Sequence, residues 1–334
     1  MASGIFVDPL RQLAASVVLA LCLSSSVTAE PRDDAYAAYM KKDYATALRL
    51  YRTLAEQGDS YGQYSLAAMC ARGEGIERSE DEALRWYRLS AQGGFAPAQN
   101  RLGSAYYSGR GVQQDYAEAA KWFRKAADQG DAESQYFIGT MHANGTGMPQ
   151  SHSEAASWFL KAADQGFATA QVELGNAYYF GHGVQVDYRQ AALWYERSAR
   201  IGDTIGMMKL AMLYAVGKGV PKDIHQANAW LGTAASLGNP QAQYFVGLLF
   251  ESGDMRRETY GSEHPIASDN RGGLILAYAW FSLADAQGNS DAAAALARLR
   301  KQLAPNEIEE AEREAKNLVR VPGVVVLGPP IRGR

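Results

Sequence analysis

The apolar positions of the chain recur with one fixed spacing. The first five of its six tryptophans follow one another at intervals of 36 residues, and Leu50 occupies the same position one period earlier. The sixth comes 50 residues after the fifth, so 14 residues are inserted there. These anchor positions are Trp86, Trp122, Trp158, Trp194, Trp230 and Trp280. A regular period near 35 residues predicts a stack of identical supersecondary units, about seven in this chain.

Each unit begins with an amphipathic helix, helix A, whose two ends are marked in the sequence. Seven residues before an anchor stands a good N-cap, and a Glu or Gln three residues later predicts a capping box in most units. The N-caps are Asp43, Ser79, Asp115, Ser151, Asp187 and Asp223. Eight residues after the anchor comes a glycine, which favours the left-handed conformation that ends a helix. These glycines are Gly58, Gly94, Gly130, Gly166, Gly202, Gly238 and Gly288.

A second helix, helix B, follows each glycine and covers the apolar face of helix A. Its middle carries a small residue in every unit, for example Gly139 and Gly175. Because a glycine inside a helix costs about 1 kcal/mol relative to alanine, its repeated use predicts close approach of a neighbouring helix. Helix B ends in a Gly-x-Gly turn, as at 145–147. None of these turns continues into the Gly-Lys-Ser/Thr of a phosphate-binding loop, so we interpret them as chain reversals.

The residues of one unit resemble the Sel1-like repeat, a relative of the tetratricopeptide repeat that is two residues longer. The resemblance rests on Ala-x-Lys-Trp-Phe-x-x-Ala-Ala-x-x-Gly at 119–130, on Gln-Tyr-Phe-Ile-Gly-x-Met at 135–141, and on the Gly-x-Gly turn with Asp four residues on. It covers 43 to about 300 in seven copies. The resemblance implies an all-α, α/α superhelical solenoid of about seven helical hairpins that serves as an adaptor between proteins. Pro305 is expected to end the last helix B, and the charged helix after it, with a capping box at Asn306–Glu309, is expected to cap the C-terminal end.

The period divides the chain into segments. We predict a signal peptide at 1–29, an N-terminal hairpin start at 30–58, repeats at 59–94, 95–130, 131–166, 167–202 and 203–238, a repeat at 239–288 with an inserted surface loop at 254–273, terminal helices at 289–319 and a flexible tail at 320–334. The inserted loop is either functional or a tolerated insertion, since lengthening a loop costs little.

The N-terminus has the order of a secretory signal peptide. Arg11 precedes an apolar run from Leu13 to Leu23, and the small side chains of Val27 and Ala29 predict cleavage after Ala29. The run is too short to span a bilayer, and no membrane span is expected in the mature protein. We therefore expect an exported protein, either periplasmic or secreted.

Cysteine usage argues against two alternatives. Lipidation of Cys22 is disfavoured because Leu21 stands where the lipoprotein pattern has a small residue. After cleavage Cys70 would be alone, so no intramolecular disulfide framework is expected. The cysteine pairs that staple each hairpin in some secreted relatives, and with them the link to β-lactam binding, have no counterpart here.

Charge and candidate chemistry exclude several classes of function. A formal net charge of −3 leaves no general basic field to hold nucleic acid. The five histidines are scattered over different units without metal-ligand spacing, and they are His142, His152, His182, His225 and His264. The recurring carboxylates are explained by helix capping rather than acid/base catalysis. We predict no catalytic residues, no metal, no cofactor and no enzymatic activity.

The candidate binding residues form a ladder of cations. Lys125, Lys161 and Arg197 stand three positions past successive tryptophans, and Arg88 and Arg124 stand two positions past theirs. One hypothesis is that this cationic ladder lines one face of the solenoid and receives an acidic segment of a partner. The other is that each cation pairs with a carboxylate three residues further along its own helix, worth only about 0.2–0.5 kcal/mol per pair.

These observations favour a non-enzymatic scaffold or adaptor of the cell envelope whose partners are other proteins, such as envelope or secretion components. The alternatives are a cell-wall-directed ligand-binding protein or enzyme accessory, and a secreted effector that contacts a host.

Overall fold

A computed structural model describes residues 31–255 and 270–320, and every regular element within those ranges is an α-helix. The helices are α1 (Pro31–Met40), α2 (Tyr44–Glu56), α3 (Ser60–Arg72), α4 (Glu80–Gln92), α5 (Ala96–Ser108), α6 (Tyr116–Asp128), α7 (Ala132–Asn144), α8 (His152–Asp164), α9 (Ala168–Phe180), α10 (Tyr188–Arg200), α11 (Thr204–Val216), α12 (Ile224–Ser236), α13 (Pro240–Ser252), α14 (Asn270–Asp285), α15 (Ser290–Leu299) and α16 (Pro305–Arg320). The predicted all-α fold is confirmed. The predicted signal peptide, Cys22 and the tail beyond α16 lie outside the described residues.

The chain divides into two compact units after Gln114. The first unit holds α1–α5 and the second holds α6–α16. Within each unit, helices A and B alternate, and each helix B packs both on its own helix A and on helix A of the next hairpin, as α7 packs on α6 and α8. Each unit is therefore a stack of helical hairpins, as the repeat predicts.

The predicted N-caps are confirmed, but their capping boxes are not completed in the expected way. The N-cap side chains of Asp43, Ser79, Asp115, Ser151, Asp187 and Asp223 each accept a hydrogen bond from the backbone N–H three residues further on. At Ser79, Ser151, Asp187 and Asp223 the N–H of the cap itself, predicted to bond the Glu or Gln, donates instead to a carbonyl of the preceding helix B. Examples are Ser79 to Cys70 at 3.0 Å and Ser151 to His142 at 2.9 Å. These four caps thereby also tie α4, α8, α10 and α12 to the hairpin that precedes each of them.

The predicted glycine conformations are present. Gly94, Gly130, Gly166, Gly202 and Gly238 have φ of +88°, +95°, +85°, +94° and +90°. In that region a side chain is strained, which explains why the position is glycine in every unit.

The small residue in helix B makes room for an aromatic ring. A Cβ placed on Gly139 would lie 2.7 Å from the ring of Phe159, and one on Gly175 would lie 2.5 Å from the ring of Tyr195. Both rings belong to the residue after an anchor tryptophan on the next helix A. The predicted close approach is confirmed, and its cause is this ring.

A row of buried glutamines in helix B, which our sequence analysis missed, joins the two helices of a hairpin. The side-chain amide of Gln135 donates to the carbonyl of Ala127 at 3.1 Å, and Gln171 donates to Ala163 at 3.0 Å. The same bond recurs at Gln63, Gln99 and Gln243. These positions keep the 36-residue period, with Met207 as the exception, so the period was the available signal.

The C-terminal part differs from prediction in two places. The inserted loop is shorter than 254–273, because Asn270–Gly273 already belong to α14, and 256–269 lie outside the described residues. Pro305 begins α16 instead of ending the helix before it, since α15 stops at Leu299. The predicted capping box is displaced by two residues, because the Glu307 carboxylate accepts from the N–H of Ala304 at 2.6 Å. Helix α16 packs on α14, as expected of a capping helix.

Candidate functional site

Three cations of the ladder lie on the exposed side of helix A in the second unit, where each of them covers the anchor tryptophan of its own helix. Lys125 Nζ lies 4.3 Å from the centre of the Trp122 ring, and Lys161 Nζ lies 3.6 Å from that of Trp158. Arg197 Cζ lies 4.3 Å from the Trp194 ring. Residues three apart share one side of a helix, which explains these contacts. Such cation–π pairs contribute about 0.5–2 kcal/mol depending on their exposure.

Trp158 receives a second cation from the preceding hairpin. Arg124 of α6 places its guanidinium carbon 4.6 Å from the centre of the Trp158 ring. The Trp158 side chain is only 5% exposed, so the indole is buried beneath the two cations. Two cations from different hairpins thus meet on one buried ring.

His142 holds Arg124 in this position. Its Nε2 lies 3.2 Å from Nη2 of Arg124. Because arginine only donates hydrogen bonds, Nε2 is the acceptor and the ring proton resides on Nδ1. That Nδ1 is buried and without a hydrogen-bond partner among the described residues. His142 is half-buried at a position where other units carry tyrosine, as at Tyr106 and Tyr178, and its contact with Arg124 was not foreseen.

The next two hairpins carry different side chains at the same positions. At Trp194, Leu160 takes the place of Arg124, and Arg197 Nη1 lies 3.6 Å from the Asp164 carboxylate of α8. At Trp230, Glu196 takes the place of Arg124 and is already neutralised, since Arg200 Nη2 donates to it at 2.7 Å. Burial first, and then the Glu196 carboxylate, raise the pKa of Tyr214 on α11. The exposed positive charge therefore decreases from α6 towards α12.

The structure decides only part of the ladder hypothesis. Arg197 does not pair within its own helix, because its carboxylate partner, Asp164, belongs to the preceding helix A. Arg88 is half-buried on α4 in the first unit, so it is described apart from the other four cations.

The anchor tryptophans differ in burial. Trp158, Trp194, Trp230 and Trp280 are buried, with 5%, 7%, 2% and 1% of their surface exposed. Trp86 and Trp122 are half-buried.

No other chemistry emerges from the described part of the chain. It contains no group of three or more His, Cys, Asp or Glu side chains placed to hold a metal ion. Among the same residues, no helix is both long and apolar enough to cross a membrane.

Comparisons with known proteins agree with the repeat architecture. The Sel1 repeat family model matches residues 35–59, 60–95, 96–131, 132–167, 168–203, 204–239 and 240–258. A Sel1 repeat protein from Oxalobacter formigenes has a similar structure, with 28% identity and a TM-score of 0.66 over 77% of this chain and 97% of that one. The protective antigen c5321 of uropathogenic Escherichia coli, which displays an SLR fold, is 28% identical with a TM-score of 0.64 over 94% of this chain and 71% of that one. No curated protein matches the chain.

Proposed function

The chain belongs to the Sel1 repeat family, whose members typically mediate protein–protein interactions without catalysis, and we propose that it is an exported scaffold that binds other proteins of the cell envelope. The binding surface is the exposed side of helix A in the second unit. The single observation that carries this surface is the row of cations on Trp122, Trp158 and Trp194.

The composition of this surface supports the proposal. The periodic positions of a repeat array build its core, so the residues that vary between units are left to meet a partner. Here the varying positions carry long cationic side chains over aromatic rings. Arginine and aromatic residues are enriched in protein interfaces, and flanking cations accelerate the approach of an acidic partner.

Capture of the native partner tests the proposal. The full-length protein is crosslinked in its native envelope, and the proteins bound to it are identified. We expect the variant Lys125→Glu, Lys161→Glu and Arg197→Glu to lose partners that the wild type captures. A matched variant reverses Lys222, Lys301 and Lys316, three exposed lysines outside the ladder, and we expect it to retain them. Equal capture by all three proteins would remove the ladder from the function.

The envelope location rests on the charged, apolar and small-residue order of residues 1–29. A similar protein described as a protective antigen is consistent with export. Cell fractionation with N-terminal sequencing tests this point. We expect the mature chain to begin at Glu30 in the envelope or the medium, and an uncleaved chain in the cytosol would contradict the proposal.

A further inference from the structure

The two cations at Trp158 are not neutralised by any carboxylate in the part of the chain that the structure describes. Their distances to the same ring place them no more than about 8 Å apart, so each charge raises the free energy of the other. Among the described residues, no carboxylate lies within ion-pair distance of Arg124 or Lys161. His142 accepts a hydrogen bond from Arg124 but brings no negative charge in the tautomer assigned above.

The following hairpin shows which group completes such a site. There the cation that covers the tryptophan, Arg197, already has the carboxylate of Asp164 at 3.6 Å. A carboxylate therefore fits beside a cation that lies on an anchor indole. The Trp158 site has one cation more, and the equivalent carboxylate, that of Asp128 on α6, forms no ion pair with Lys161.

We propose that Arg124, Lys161 and Trp158 form an anion site that binds an Asp or Glu side chain from an acidic segment of the partner; this inference rests on the proposed function. A carboxylate placed between the two cations relieves their mutual repulsion and forms charge-assisted hydrogen bonds with both. The guanidinium is already oriented by the Trp158 ring and by His142, so little side-chain freedom is lost on binding. The segment binds most tightly at the α6–α8 hairpins, because the cations further on are paired.

Titration with a defined acidic peptide tests the site. The probe is an acetylated hexaglutamate peptide, added to the purified protein at low salt, with affinity measured by calorimetry and location by the indole N–H signals in NMR spectra. We expect binding to shift the Trp158 signal most. Arg124→Gln and Lys161→Gln should each weaken binding about tenfold. Arg197→Gln removes one equal charge from an already paired cation and should weaken it less than about twofold.

Lys161→Arg keeps the charge and should keep the affinity, which separates a binding role from a structural one. Circular dichroism establishes that each variant remains folded. The inference is overturned if hexaglutamate fails to bind, if Arg197→Gln weakens binding as much as Lys161→Gln, or if inorganic phosphate binds more tightly than the peptide. Loss of the peptide site with unchanged capture of the native partner would overturn this inference and leave the scaffold function standing.

Discussion

Within the second unit, the hairpins around Trp158 differ from those around Trp230, although helix A has 13 residues in both. Around Trp158, Arg124 and Lys161 lie over the indole and form no ion pair with a described carboxylate. Around Trp230 the corresponding residues are Glu196, which is buried and paired with Arg200, and the neutral Thr233. The first region carries cations without a described carboxylate partner, whereas the second neutralises its buried carboxylate within the chain.

Successive hairpins also differ at the small residue of helix B and at the residue that faces it from the next helix A. Gly139 and Gly175 face the rings of Phe159 and Tyr195, whereas the next helix B and helix A carry Ala211 and Leu231 at the equivalent positions. In these hairpins of the second unit, the larger residue on helix B is therefore matched by a non-aromatic residue on helix A.

Breaking the buried ion pair of the second region should have the largest effect. Arg200→Ala leaves the Glu196 carboxylate, only 8% exposed, without its arginine partner. We expect the free energy of unfolding to fall by about 2–3 kcal/mol, less than for a fully buried pair because Arg200 is itself 29% exposed. Urea denaturation followed by circular dichroism measures this. Arg197→Ala, on the same helix, removes an exposed ion pair and an exposed cation–π contact, and should cost about 1 kcal/mol. Equal losses would contradict the assignment of Glu196 as a buried charge.

Overpacking the small position of helix B should have an intermediate effect. A Cβ from Gly175→Ala would press on the Tyr195 ring, which cannot move freely because its hydroxyl donates to Asn176 at 2.8 Å. We expect a net loss of about 1–2 kcal/mol, since the packing strain exceeds the gain in helix propensity.

The double variant Gly175→Ala with Tyr195→Leu copies the Ala211 and Leu231 pair of the next hairpin. Its loss of stability should be smaller than the sum of the two single losses, because the shorter side chain leaves room for the methyl group. Additive losses would show that the two positions do not pack against each other.

Introducing a side-chain amide that can donate to the buried oxygen of Gln171 should have the smallest effect, and it should stabilise the protein. Gln165 donates to Gln135 Oε1 at 2.8 Å. One hairpin later Ile201 replaces the donor, and the buried Gln171 Oε1 has no hydrogen-bond partner among the described residues. Ile201→Gln should raise the free energy of unfolding by about 0.5–1.5 kcal/mol.

Leu237→Gln is the matched control for that change. It introduces an amide at the same repeat position, but the residue equivalent to Gln171 is there Met207, which offers no amide oxygen. Little stabilisation is expected in the same urea denaturation measurement. A gain as large as that of Ile201→Gln would show that filling the buried acceptor is not the cause.

The sequence by itself determined the repeat and the ends of most helices. N-caps such as Asp115 and glycines such as Gly130 act through their own backbone neighbourhood, so their roles follow from local spacing alone. The order of the hairpins followed from the period of the tryptophans. The C-terminal capping box was misplaced, because Pro305 opens a helix as readily as it ends one.

Only the tertiary structure decided which polar groups meet across hairpins. The cap N–H of Ser151 bonds to a carbonyl of the preceding helix B, and Arg124 reaches the tryptophan of the following helix A. Because Lys161 follows Trp158 by three residues, local spacing places both on one side of the helix. It did not reveal that Arg124 approaches the same ring. Such contacts depend on how one helix is rotated against the next, which is set by side-chain packing along the whole interface and not by neighbouring residues in the chain.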